Sequence, residues 1–143
     1  MAESAREIDL DPRRTVGLSF PIAPDENNDF AVTETSTEQA PHNLRSLFLT
    51  YPGERVGQPE FGSRLRALCF EPSNKDLPSK IENEIYRAVD RWLPYINITK
   101  VNVLTDEGDR NKIFVKVDFT TSLNPTTVGT LTVTPNLPPA GDY

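Results

Sequence analysis

A chain of 143 residues with 36% hydrophobic residues, 13 prolines and a formal net charge of −6 has room for one domain with a small core. Residues 1–40 hold nine acids and three bases, while residues 41–143 hold twelve of each, so the chain has no global attraction to nucleic acid or to anionic lipid, since counterion release needs clustered Lys and Arg. A single cysteine and a single histidine exclude an intrachain disulfide and a histidine-rich metal site.

In chain order, residues 1–14 are polar and charged with no hydrophobic period, and they read as a flexible N-terminal arm. With no run of 18 apolar residues and a charged start, the sequence predicts a protein made in a cytoplasm. Residues 15–20 place Val16, Leu18 and Phe20 on alternate positions, the pattern of a half-buried strand that Pro21 ends. Turn residues follow over 24–29, and 30–33 can form a short second strand. Thr35 and Glu38 fit a capping box. Because Pro41 would cost a helix interior one bond, the regular helix is expected from about Ala40, through Leu44, Leu47 and Phe48, to Thr50. His42 is placed on its solvated side.

Residues 51–63 contain three glycines and two prolines, and must form a shaped loop. Pro52 and Pro59 fix φ, Gly53, Gly57 and Gly62 allow reversals, and Phe61 can anchor the far end in the core. A helical turn is expected over 63–70, with Cys69 a buried thiol rather than a reactive one. The clearest helix follows. Asp76 stands at its N-cap, Pro78 lies in its first turn, and Leu77, Ile81, Ile85, Ala88, Val89 and Trp92 form one stripe that Pro94 terminates. Its opposite face, with Lys80, Glu82, Glu84, Arg87, Asp90 and Arg91, reads as solvated.

From Ile96 the period changes to two. Ile96 and Ile98 are followed, after a slip at Thr99 and Lys100 that predicts a bulge, by Val101 and Val103. A turn at 106–109 leads to Ile113, Val115, Val117 and Phe119, and a third run covers 130–134. The fold expected is α+β: a small antiparallel sheet against one long and one or two shorter helices, with extended termini. Residues 15–134 form the domain and 135–143 a Pro-rich tail that cannot pair regularly. That leaves the last strand near an edge, either offered to another chain's strand or shielded by the N-terminal strand.

No nucleotide-binding or nucleophile-elbow motif occurs. Among the 21 acids, Glu54 and Glu60 in the 51–63 loop are the pair whose tight sequence context suggests a glycosidase, which needs carboxylates roughly 5–9 Å apart across a cleft. Arg55, adjacent to Glu54, would hold that carboxylate ionised rather than keep it a proton donor. The alternative is that Glu54 and Arg55 pair with each other or face a protein partner. Four arginines, Arg45, Arg55, Arg64 and Arg66, can form a local basic patch, and the interleaved Glu54, Glu60 and Glu71 favour a protein partner for it over nucleic acid.

The string LRSLFLTYPGERVGQPEFGSRL over residues 44–65 resembles the hallmark of the baseplate wedge and sheath-initiator family of contractile phage tails, which has members in type VI secretion. That hallmark is a leucine-rich helix end, a threonine, Gly-Glu-Arg, a spacer and Pro-x-Phe-Gly, and the likeness extends over about 15–134. It implies a non-enzymatic structural subunit of the virion's tail baseplate, assembled in the host cytoplasm, without cofactor, metal or catalytic residues. The family's Glu-Pro-Arg signature maps onto Glu54, Arg55 and Pro59, with Gly53, Phe61 and Gly62 shaping the loop. The resemblance implies that this loop docks on a helical core bundle of larger wedge proteins, with tail tube or hub proteins as further candidate partners. The strand with Leu131 and Val133 would face the first ring of sheath subunits. Some family members have been described as lysozyme-like, which gives the peptidoglycan hydrolase alternative its source.

Overall fold

The computed structural model describes residues 14–72, 75–105 and 112–135, together with Glu7, Asp9, Asp11 and Gly108. Most of the predicted arm (1–14), turn (106–109) and tail (135–143) lies outside the described residues. The order of elements is β1 (Gly17–Leu18), β2 (Val32–Thr33), α1 (Ser36–Leu49), α2 (Leu65–Cys69), α3 (Leu77–Trp92), β3 (Ile96–Thr105), β4 (Ile113–Thr121) and β5 (Gly129–Val133). No helix among the described residues is long and apolar enough to cross a membrane.

The α+β class is observed. Strands β3, β4 and β5 form one antiparallel sheet in that order, and β1 and β2 pair antiparallel as a separate two-stranded sheet. The period-two pattern acts as expected. Along β4, Ile113, Val115, Val117, Phe119 and Thr121 all point inward and are buried. The apolar ones share one core with Ala40, Leu44, Leu47 and Phe48 of α1 and Leu77, Ile81, Ile85, Ala88 and Val89 of α3. The register of β3 on β4 shifts between Ile98 and Lys100, the bulge foreseen there, and Thr99 Oγ1 donates to the Asp118 carbonyl at 2.9 Å.

Helix α1 starts at Ser36, earlier than Pro41 led the sequence reading to place it. Several bonds hold this start. Thr35 Oγ1 accepts the Glu38 N–H at 3.2 Å, and the Ser36 N–H reaches the Asp9 carboxylate at 2.7 Å. The Glu38 carboxylate accepts the Glu34 N–H at 3.1 Å, one residue further back than the box predicted. Against these, together with burial of Ala40, the proline forfeits a single N–H.

Three further expectations are corrected. The 15–20 strand contracts to Gly17–Leu18 and turns inside out: Thr33 is buried, whereas Val16 and Leu18 are each 44% exposed. His42 is half-buried rather than solvated, and its Nδ1 accepts the Phe20 N–H at 3.0 Å. Glu84, assigned to the solvated face of α3, is only 9% exposed. Its carboxylate accepts the Arg64 N–H at 2.8 Å and two prongs of the Arg87 guanidinium, tying α2 to α3. Asp76 does stand at the N-cap of α3, although its side chain makes no capping bond.

Candidate functional site

The loop 51–63 joins α1 to α2 and is closed by its own main chain. The Gly53 N–H donates to the Pro59 carbonyl at 2.7 Å, the Glu54 N–H to Tyr51 at 3.1 Å, and the Ser63 N–H to Thr50 at 2.9 Å. Two of its glycines are required by geometry. Gly53 and Gly62 have φ of +101° and +127°, and a Cβ on Gly62 would stand 2.4 Å from the Thr50 carbonyl oxygen. Gly57, expected to serve a reversal as well, is not at positive φ. Ser63 is buried, and its Oγ donates to the Phe48 carbonyl at 3.2 Å.

Side chains of the signature residues complete this frame. Glu54 Oε2 accepts the Tyr51 N–H at 3.0 Å. Arg55 turns the other way: its guanidinium carbon lies 3.8 Å from the centroid of Phe61, and Nη2 donates to Ser46 Oγ at 2.9 Å. Glu54 and Arg55 therefore do not pair with each other, one of the two arrangements that the sequence allowed. Phe61 is half-buried and meets Trp92 edge-on, with centroids 5.3 Å apart and planes at 63°. Arg91 pairs with Glu60 and lies 4.9 Å over Trp92. An aromatic and cationic stack, Arg55–Phe61–Trp92–Arg91, thus clamps the loop to the end of α3. Val56, at 99% exposure, projects from the tip.

Nothing in the local sequence signals Ser46, Arg91 or Trp92 as parts of this clamp. Trp92 was legible only as the last member of the α3 stripe, and Arg91 as one more charge on a solvated face. As a glycosidase pair, Glu54 and Glu60 lack the required setting. Both are exposed, Glu54 is hydrogen-bonded within its loop, and Glu60 is held by Arg91. A cavity of about 360 Å³ lies elsewhere, lined by Val16, Ser36, Gln39, Asn43, Tyr95 and Leu123. Its polar groups bond one another: Gln39 to Asn43 at 2.8 Å and Asn43 to Tyr95 at 2.7 Å.

At the other candidate surface, Leu131 and Val133 are buried, each 4% exposed, and pack inward with α1. What β5 turns outward is its second edge, which no strand pairs among the described residues, and the exposed side chains of Thr130 and Thr132. The shield considered from sequence is not formed there, because β1 pairs with β2 instead. Burial pushes the Cys69 thiol up to about 11, in keeping with its expected inertness.

No curated protein sequence gives a significant match to the chain. Among solved structures, it is similar in fold to a Geobacter sulfurreducens protein provisionally assigned as a tail lysozyme. There the TM-score is 0.61 and the identity 24%, over 72% of this chain and 94% of that one. It is similar also to a chain of the anti-feeding prophage baseplate (TM-score 0.64, 22% identity, 73% of this chain and 83% of that one). A chain of the postcontracted pyocin R2 baseplate gives a TM-score of 0.53 and 24% identity, over 70% of this chain and 97% of that one. At these identities the likeness is one of fold. The sequence itself matches the family model described as baseplate wedge protein gp25 over residues 35–126, a span that takes in the whole 51–63 loop. With well over half of its length matched, the chain belongs to the baseplate wedge protein gp25 family.

Proposed function

We propose that this chain, a structural subunit of a contractile-tail baseplate, docks through its 51–63 loop on a helical bundle of larger wedge proteins. Along the outer edge of β5 it receives a strand from the first ring of sheath subunits. The observation that carries this reading is the construction of the loop. Main-chain bonds, two glycines at positive φ and the stack on Trp92 hold its shape, so a partner meets a preformed surface and little ordering entropy opposes docking. In this reading Arg55 is a positioning residue that acts through Phe61, and Val56 makes the apolar contact.

The second surface follows from the sheet. With Leu131 and Val133 committed to the core, strand addition at β5 would draw on main-chain groups and disturb no packing. Repeated sixfold around the tail, such edges would set the position and tilt of the first sheath ring. A hydrolase built on Glu54 and Glu60 would need a cleft and a carboxyl kept protonated by apolar surroundings, and the exposed, internally bonded pair supplies neither.

The test is complementation of tails lacking this protein with wild type, Arg55→Ala or Glu54→Gln, followed by electron microscopy. Arg55→Ala should give no baseplates, or baseplates without sheath. Glu54→Gln keeps an acceptor for the Tyr51 N–H and should give infectious tails. Normal assembly by Arg55→Ala, with complete but non-infecting tails from Glu54→Gln, would overturn the structural role.

A further inference from the structure

The hairpin carrying β1 and β2 precedes the family match, which begins at residue 35. Its inner and outer faces are reversed relative to what alternation suggests. Gly17 and Thr33 form one directly opposed pair and Leu18 and Val32 the next, so Leu18 and Val32 share the outer face, with Val16 and Phe30 two positions along. Val16, Leu18, Ile22, Phe30 and Val32 are between 44% and 64% exposed. These are half of the large hydrophobic side chains exposed among the described residues.

The hairpin is not a loose flap. Thr33 Oγ1 bonds to Gln39 Oε1 and His42 Nδ1 takes the Phe20 N–H, which fix the inner face on α1. Asp25 Oδ1 accepts the N–H groups of Asn27 and Asp29, at 2.8 and 2.9 Å, and fixes the tip. A rigid apolar face of this kind is a partner-binding surface in search of cover. Its rim selects the partner. Asp25, Glu26 and Asp29 in the turn of the hairpin and Glu34 just past β2 are all exposed, and none has an ion-pair partner among the described residues. Two copies facing each other would oppose these acids, and an anionic membrane would be repelled by them.

We propose that the outer face of the β1–β2 hairpin is a second docking surface, for a neighbouring baseplate subunit that presents an apolar patch rimmed by lysine and arginine. The location, in a baseplate, rests on the function proposed above; the partner's chemistry rests on the hairpin alone.

The experiment places the photo-cross-linker p-benzoylphenylalanine at position 30, or at position 82 on the exposed face of α3 as a control, in chains that complement assembled tails. Position 30 should cross-link to a different baseplate protein, at a peptide containing lysine or arginine. The variant Glu26→Lys/Glu34→Lys, which alters only exposed side chains, should lower that yield several-fold. Cross-linking to a second copy, to residues 1–13 of the same chain, or to nothing in particles that contain the chain would overturn this inference alone. An unchanged yield in the charge-reversed variant would overturn the basic-rim assignment. Particles without the chain would overturn the baseplate reading, and this inference with it.

Discussion

Glu84 offers a quantitative test of how the loop is held, because it bonds the main chain at the start of α2 and also carries a surface partner. Its carboxylate, 9% exposed, accepts the N–H of the exposed Arg64 at 2.8 Å as well as the Arg87 guanidinium. A hydrogen bond to a buried charge contributes roughly 1.5–3 kcal/mol. The Arg87 side chain is 61% exposed, so its half of the interaction should contribute less than about 1 kcal/mol. Glu84→Ala should therefore destabilise the protein by about 2–3 kcal/mol, whereas Arg87→Ala should cost under about 1 kcal/mol.

Equilibrium urea unfolding measures both values, with the slope checked for constancy. Glu84→Gln, which keeps an acceptor for the Arg64 N–H and loses the charge, should fall between them. In the double variant Glu84→Ala/Arg87→Ala, the loss should be close to that of Glu84→Ala alone, since the arginine then has nothing left to lose. If Glu84→Ala and Arg87→Ala cost the same, the carboxylate is only half of an ordinary surface ion pair and does not couple α2 to α3.

Four further outcomes are expected. Gly62→Ala, which forces a side chain to positive φ and to within 2.4 Å of the Thr50 carbonyl, should cost about 3 kcal/mol or more in thermal or urea unfolding. Leu131→Ala should cost about 2–5 kcal/mol, because that side chain fills the core; a cost under 1 kcal/mol would mean that it faces solvent. Cys69 should resist maleimide at pH 8 in the folded protein and react promptly in urea, and its burial has a linkage consequence. A thiol raised from 9.0 to about 11 binds its proton more tightly folded than unfolded, so stability should be level below pH 9 and fall as pH rises from about 9 towards 11. Thr132→Lys, at an exposed position of β5, should leave urea stability nearly unchanged and give baseplates that lack sheath.

The parts of the fold that could be read from sequence are those whose cause is local. The α3 stripe needs only helical spacing and a terminating Pro94, and the β4 alternation needs only a buried face. The bulge showed itself because Thr99 and Lys100 break the phase. The loop was legible as a shaped connector from its glycines and prolines, but not its clamp, since Trp92 and Arg91 arrive from 31 residues further on. Glu84 was misplaced for the same reason: its main-chain partner, the Arg64 N–H, lies 20 residues away, and a carboxylate on a polar stripe gives no sign that it turns inward. The start of α1 depends partly on Asp9, 27 residues before the serine that it holds. In the N-terminal hairpin alternation itself misled, because the small Gly17 and the hydroxyl of Thr33 face the helix and the apolar side chains face out.

The two outer edges of the main sheet differ in a way that bears on assembly. Free edges invite unwanted pairing, and bulges and charged side chains are common means of blunting them. The edge on β3 has both: its register is broken at Ile98 and Lys100, and Lys100 is exposed. The edge on β5 has neither. Its pairing to β4 runs unbroken from Gly129 to Val133, and its outward side chains are the uncharged threonines Thr130 and Thr132. A monomer selected only for solubility would gain by guarding both edges. One guarded and one regular edge on the same sheet instead allows strand addition on a single side, which fixes the direction in which a second protein can be joined. The cost to the isolated subunit is limited because β5 has only five residues, enough for a partner already held nearby in the assembly and few for chance association. If β5 receives a sheath strand as proposed, moving the guard, by Lys100→Thr together with Thr132→Lys, should abolish sheath attachment while leaving the chain folded.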